Sequence, residues 1–293
     1  MQAGPALLLL ASTLAAAPDQ QLDQALSRIS EEAEVFRLTA PKIVAQEKLV
    51  QRALKPPGRF RPRLGSAALQ PPKPQYRTRE VISEYGFATF REAPGAIHEV
   101  RQVVSVDNRR VTSVEKARET LVAGLRSDDD RLKKRILENF EKHGLTGAAT
   151  DFGQVLLLFT RARLPDYAFS WGGAGVVGTD PARIIEFRQR SGDGALTIFE
   201  RGKALRQPLE GQLWIRESDG QPLRVVFRTR RDEAGRTVRD EAQVDYIMAQ
   251  GAFLAPASVT HRQMRDADLV VENVYQYSAF RIFKVDAEIK FGK

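Results

Sequence analysis

Between Gly211 and Tyr246 three short runs alternate apolar and polar side chains with a period of two, a pattern that an antiparallel sheet with one buried face satisfies. Leu213 and Ile215 share a face in the first run, Leu223, Val225 and Phe227 in the second, and Val238, Ala242, Val244 and Tyr246 in the third. The loops must keep these faces aligned. A loop Ser218-Asp219-Gly220, with Gly220 at positive φ, sets Ile215 opposite Leu223 and Leu213 opposite Val225. A loop Asp232-Glu233-Ala234-Gly235 then sets Val225 opposite Ala242 and Leu223 opposite Val244. Slipping either register by one residue exposes the whole apolar set. The opposite face carries Trp214, Arg216, Arg224, Arg228, Arg230, Arg239, Glu241, Gln243 and Asp245.

Upstream, Leu22, Leu26, Ile29, Ala33 and Phe36 recur at steps of four and three, which predicts an amphipathic helix closed off before Pro41. Ile43 to Gln51 either continues as a kinked helix or begins the sheet, and the strand is the reading adopted. Residues 55–76 hold Pro56, Pro57, Pro62, Pro71, Pro72 and Pro74 and read as a linker or exposed loop. Arg79 to Phe90 and Ile97 to Val106 follow as strands joined through Pro94-Gly95. Thr112 with Glu115 makes a capping box, and Asp128-Asp129-Asp130 an N-cap with first-turn acids, so a helical pair is predicted within an insert spanning 112–160. Phe152 to Phe159 is a compact apolar segment that reads as a third, short helix. The order is that of an α+β protein: a large curved antiparallel sheet, a half-open barrel, with an N-terminal helix and a helical insert packed on it. The segments are 1–17, 18–54 (helix and first strand), 55–76, and a β-rich domain over 77–293.

Met1 to Ala17 carries no charge, contains Ala6-Leu7-Leu8-Leu9-Leu10 and ends in small residues, as a secretory signal does. The expectation is a periplasmic or secreted protein, soluble after cleavage. The absence of cysteine excludes disulfides, thiolate metal sites, a cysteine nucleophile and lipid attachment through cysteine. A formal charge of +8 favours anionic neighbours, for an exported chain a membrane surface or envelope polymer rather than nucleic acid.

Catalytic motifs are not found. Gly173-Ala174-Gly175-Val176-Val177-Gly178 has the spacing of a dinucleotide fingerprint, but Thr179-Asp180-Pro181 and a strand-like Ile184 to Arg190 follow where a helix must begin, so a glycine-rich hairpin is predicted. His98, His143 and His261 lack zinc spacing; His143 suits a helix C-terminus and the other two solvated strand positions. No metal, cofactor or catalytic residue is assigned.

Gly211-Gln212-Leu213-Trp214-Ile215 followed by Gly220-Gln221-Pro222-Leu223-Arg224, the later Tyr277 to Val285 and the early Ile43 to Gln51 resemble, in the same order along the chain, a set of uncharacterised bacterial secreted proteins. More distantly, the order helix, strands, helical insert and antiparallel meander is similar to the periplasmic lipoprotein carrier and sorting proteins (LolA/LolB-like), whose unclosed barrel shelters acyl chains beneath helices. That resemblance implies a non-enzymatic binding protein. The continuous one-sided stripe of Leu213, Ile215, Leu223, Val225, Phe227, Val244 and Tyr246, read from the alternation itself, is the candidate face for sheltering a lipid or lipoprotein acyl chain, unless that face is a filled core. The alternative is a structural or interaction protein that binds an anionic envelope component through Arg224, Arg228 and Arg230; a hydrolase built from distant carboxylates is a third reading.

Overall fold

The period-two runs become three strands of an eleven-stranded antiparallel sheet that does not close on itself. The structure, a computed structural model, describes residues 18–56, 73–143, 145, 151–190, 196–200 and 203–283. The signal-like segment 1–17 and most of the Pro-rich stretch lie outside them.

Helix α1 (Pro18–Thr39) comes first, followed by a 3₁₀ turn at Ala40–Lys42, where Pro41 ends the helix, and by strand β1 (Ile43–Leu54). Strands β2 (Tyr76–Phe90), β3 (Ala93–Val106) and β4 (Arg109–Arg110) continue the sheet, then helices α2 (Val114–Arg126) and α3 (Asp130–Glu141). A 3₁₀ turn at Val155–Phe159 and another at Leu164–Asp166 lead into strands β5 (Tyr167–Val177) and β6 (Asp180–Gln189). A separate hairpin, β7 (Leu196–Glu200) and β8 (Lys203–Gln207), precedes the closing meander of β9 (Glu210–Arg216), β10 (Pro222–Glu233), β11 (Arg236–Ala249), β12 (Phe253–Arg265) and β13 (Asp268–Ile282). The sheet order is β4-β3-β2-β1-β13-β12-β11-β10-β9-β6-β5. β1 therefore sits centrally, paired to β2 on one side and β13 on the other. The Pro-rich stretch accordingly joins two neighbouring strands, and the Lys55 amide bonds the Gln75 carbonyl at its base (2.8 Å).

Registers agree with the sequence in face and differ in detail. Leu213 pairs with Val225 as predicted, but Ile215 pairs with Pro222, because a bulge between Pro222 and Arg224 takes Leu223 out of the ladder. β10 and β11 are joined by Ala234-Gly235 alone, both at positive φ (50° and 77°), the twist-matched two-residue hairpin. The predicted four-residue loop is thus two residues too long, and Val225 faces Val244 rather than Ala242. A shift of two leaves every side chain on its face. The β2–β3 turn falls at Arg91-Glu92, not Pro94-Gly95; the backbone of Pro94 lies on the stretch of β3 that has no outer partner, where a missing donor is tolerated. Ser113, not Thr112, caps α2, accepting from the Lys116 amide at 3.1 Å. Asp129 caps α3 through the Arg131 amide at 2.9 Å.

The two helical parts cover opposite faces. α2 and α3 pack on the outer face of β1–β3 through Leu121 and Ile136 against Val44, Ala88, Phe90 and Val100. Gly124 lets them approach, since a Cβ there would strike the Ile136 side chain. α1 lies on the inner face, with Ile29, Ala33 and Phe36 fully buried and the Phe36 ring edge-on to Phe87 (5.5 Å) and Tyr246 (6.3 Å).

Candidate functional site

The inner face of the half-barrel gathers the seven residues singled out from the sequence. Leu213, Ile215, Leu223, Val225, Phe227, Val244 and Tyr246 are all buried, and six of them belong to the main core with α1; Leu223 is buried at the bulge. What covers them is α1 together with a strap, residues 151–166, laid across the sheet. The strap inserts Phe152, Val155, Leu156 and Phe159, each at most 4% exposed. Phe152 stacks at 6.0 Å from Phe227, and Phe159 meets Phe187 edge-on at 5.1 Å. The predicted short helix here is a 3₁₀ turn.

Polar pins hold the strap. Tyr246 donates its hydroxyl to the Gly153 carbonyl and accepts from the Leu156 amide, both at 3.1 Å. The Gly153 amide donates to Glu99 (2.7 Å), while Asp151 accepts from the Glu99 amide (3.0 Å) and contacts His98 Nδ1 (2.9 Å). The hydrogen bond to Asp151 raises the His98 imidazole above its ordinary value, against the opposing effect of burial.

Beneath the pins lies a sealed ion cluster. Arg101 Nε donates to both oxygens of Glu47 (2.8 and 2.9 Å) and Nη2 to Glu99 (2.6 Å), with all three side chains at most 3% exposed. Tyr85 donates to Glu99 at 2.7 Å, and the rings of Tyr85, Phe140 and Tyr275 stand 5.2–5.6 Å from the guanidinium. Burial pushes Glu99 up to about 7, against the pull of Arg101. Ser83 and Tyr275, flanking the cluster, carry buried hydroxyls with no hydrogen-bond partner among the described residues. A second buried band runs across β1, β13, β12, β11 and β10. Gln51 donates to Asn273 (2.7 Å), Asn273 to His261 Nδ1 (3.3 Å), His261 Nε2 to Asp240 (3.1 Å), and Gln263 and Arg231 complete the Asp240 shell at 3.1 and 2.9 Å. His261, expected at a solvated strand position, is 1% exposed and lies under Phe152 at 4.6 Å. It faces inward because it shares a face with Val259. The carboxylates of both bands are committed to cations, amides or hydroxyls. Among the described residues no group of side chains has the arrangement of a metal site.

The outer-face arginines are placed differently. Arg224 forms a two-pronged ion pair with Asp245, the second contact at 3.1 Å, and lies 5.6 Å from the Trp214 ring; Arg228 meets Glu241 at 3.5 Å. Arg230 stands opposite Arg239 in the β10–β11 register. The acids of β11 thus offset two of the three charges. The glycine-rich stretch is the β5–β6 hairpin, turning at Gly178 (φ 61°), with no helix for a pyrophosphate.

Between α1 and the start of β5 a shallow groove of about 390 Å³ opens to solvent, lined by apolar Leu26, Leu164, Pro165 and Phe169 together with Asp23, Ser27, Ser30 and Arg161. The Phe169 ring lies tilted against Phe159 at 6.2 Å, which connects the groove to the buried inner face. Sequence reasoning missed the polar groups of this interior, since Glu47, Glu99 and Arg101 sit in ordinary strand alternation with nothing local to mark them.

No family model matches the chain, and no curated protein does. Among solved structures it is similar to a LolA superfamily protein from Nitrosomonas europaea, at 11% identity and TM-score 0.33 over 89% of this chain and 94% of that one. It is also similar to a DUF1329 family protein from Desulfovibrio piger, at 12% identity and TM-score 0.35 over 91% and 94%. The LolA-like resemblance read from the element order is therefore met again among the structural neighbours, and at these identities and scores no statement about ligand or partner follows from them.

Proposed function

We propose that this protein is an exported, non-enzymatic carrier that shelters a lipid or acyl chain between the inner face of its unclosed sheet and the cover made by α1 and the strap. The observation that carries the reading is the nature of the cover: among the described residues, the apolar sheet face is closed off by a helix and a strap, not by further strands. The strap is held by the buried side chains of Phe152, Val155, Leu156 and Phe159 and by hydrogen bonds at Tyr246, Glu99 and Asp151, with no strand pairing to the sheet among the described residues. Such a segment can lift as a unit while the sheet keeps its ladders. The groove at Leu26 and Phe169 gives the chain its point of access, and the unsatisfied hydroxyls of Ser83 and Tyr275 offer donors to an ester or carboxyl head. The pairing of Arg224 and Arg228 with acids supports this reading over anion binding on the outer face.

Native mass spectrometry of the full-length protein from its own source, with titration of a fluorescent C16 fatty acid, tests the proposal. A co-purified lipid mass and saturable binding displaced by unlabelled fatty acid are expected. Recovery without lipid, together with no saturable binding, overturns it. N-terminal sequencing of the same material checks export: a start near Pro18 supports the signal, and an intact Met1 removes it.

A further inference from the structure

One end of the half-barrel carries an unusual concentration of exposed aliphatic side chains. Seven large apolar residues among the described ones are exposed, and five of them, Val35 (50%), Leu38 (59%), Ile247 (43%), Met248 (41%) and Ile282 (53%), come from elements that meet there. The contacts that join these elements are specific. The Phe36 ring of α1 packs 6.3 Å from Tyr246, the residue before Ile247. Ile282 pairs with Ile43, and the Phe283 amide donates to the Lys42 carbonyl at 3.0 Å, which ties the end of β13 to the turn after α1. Gln250, in the β11–β12 turn, donates to the Phe280 carbonyl at 2.6 Å. Behind the exposed tips, Ile43, Ala249, Phe253 and Ala255 form a small buried cluster, so the tips stand on a rigid base.

Two cations without an acidic partner stand beside the tips: Lys42 and Arg281 are exposed and make no ion pair among the described residues. Glu34, the acid of this part of α1, is held by Arg37 at 2.9 Å. A symmetric contact with a second copy of this chain would gather Lys42 and Arg281 of both copies into one interface, and the repulsion between these like charges opposes self-association. Separate aliphatic tips interspersed with cations fit a surface that offers hydrocarbon just below a layer of negative charge.

We propose that this end, formed by the C-terminal turns of α1, the β11–β12 hairpin and the end of β13, docks on an anionic lipid bilayer: Leu38, Ile247, Met248 and Ile282 enter the acyl layer while Lys42 and Arg281 meet the phosphates. This goes beyond the carrier reading and does not depend on it. It also moves the membrane contact away from the outer-face stripe of Arg224, Arg228 and Arg230.

Co-sedimentation of the full-length protein with phosphatidylglycerol–phosphatidylcholine vesicles, and with phosphatidylcholine alone, is the test. Binding to the anionic vesicles is expected, weakened by added salt and by omission of phosphatidylglycerol. Leu38→Glu and Met248→Glu each lower the partition by about tenfold or more, the equivalent of withdrawing one aliphatic side chain from hydrocarbon. Lys42→Gln and Arg281→Gln each lower it by about fivefold. Val111→Glu and Val176→Glu, exposed outside this group of elements, bind as the unaltered protein does. All six positions are exposed, and thermal unfolding confirms that each variant is folded. The proposal is overturned if the unaltered protein ignores anionic vesicles, if the two control variants lose as much as the patch variants, or if neutralising Arg224 and Arg228 is what abolishes binding. Fatty-acid binding by Leu38→Glu in free solution stays unchanged, so failure of docking and failure of sheltering give different results.

Discussion

Replacing Arg101 by Met removes the cation from between two carboxylates that have no access to water. Arg101 makes two contacts with Glu47 and one with Glu99 at 2.6–2.9 Å, and the three side chains are 0–3% exposed. Removing one member of such a buried set costs about 3–5 kcal/mol, chiefly because the remaining charges are stranded in a poor dielectric. Loss of contact between the guanidinium and the rings of Tyr85, Phe140 and Tyr275 adds to this. For a chain of this size the midpoint of thermal unfolding should fall by roughly 5–15 °C. The sign of the pH dependence follows from Glu99, whose native pKa already lies near the value of about 7 to which burial pushes it. A carboxyl raised in the native state contributes stability at low pH that is lost as pH rises through the native pKa. Without Arg101 that window moves higher, so the loss measured by urea unfolding should be smaller at pH 5.5 than at pH 8. Adding Glu47→Gln and Glu99→Gln to Arg101→Met should recover at least half of the stability at pH 8. A loss below about 1 kcal/mol, or one that is equal at both pH values, would refute the assignment of a buried, mutually dependent ion cluster.

Three further outcomes follow from the strap and the sheet. Tyr246→Phe leaves the Gly153 carbonyl and the Leu156 amide without their buried partner, at a cost of about 1–3 kcal/mol, and hydrogen exchange should quicken over 152–159 while β11 keeps its protection. His98 is raised by Asp151, so its contribution is full below the unfolded value of 6.5 and is lost as pH rises through the native pKa; the stability difference between the unaltered protein and His98→Gln should shrink from pH 5.5 to pH 8, and a constant difference would remove the ion pair. Gly211→Ala places a Cβ on the Val226 carbonyl oxygen and the Phe227 backbone, so β9 must part from β10, and the variant should be recovered mainly as insoluble protein; a Tm within a few degrees of the original would show that the strands can separate there freely.

The sheet's faces were legible because apolar alternation at Leu213, Ile215, Val225, Phe227 and Val244 has only one burial solution. The register between β10 and β11 was not, since sliding by two residues satisfies that alternation equally well and only the positive φ of Ala234 and Gly235 decides it. The α1 stripe was read directly from its spacing, and Ile29, Ala33 and Phe36 are its buried members. Adjacent capping residues, Thr112 and Ser113, left α2 uncertain by one position. The interior polar bands had no local signature: Glu47 and Arg101 are 54 residues apart, and Asp240 and His261 are 21 apart. Their meeting depends on which strands lie side by side, which alternation does not encode. The same holds for the strap, whose apolar run Phe152 to Phe159 was visible while its place across the inner face was not.

Whether the covered face receives an acyl chain is tested most directly by photolabelling. The full-length protein is incubated with a diazirine-bearing C16 fatty acid, irradiated, and digested for peptide mapping. The account predicts labelling at Leu26, Leu164 or Phe169 on the groove and at inner-face residues such as Phe227 and Val244, competed by unlabelled fatty acid and increased by Tyr246→Phe. Labelling confined to the exposed tips at Val35, Leu38 and Ile247, or absent from the inner face even when the strap is loosened, would show that this face is a permanently filled core.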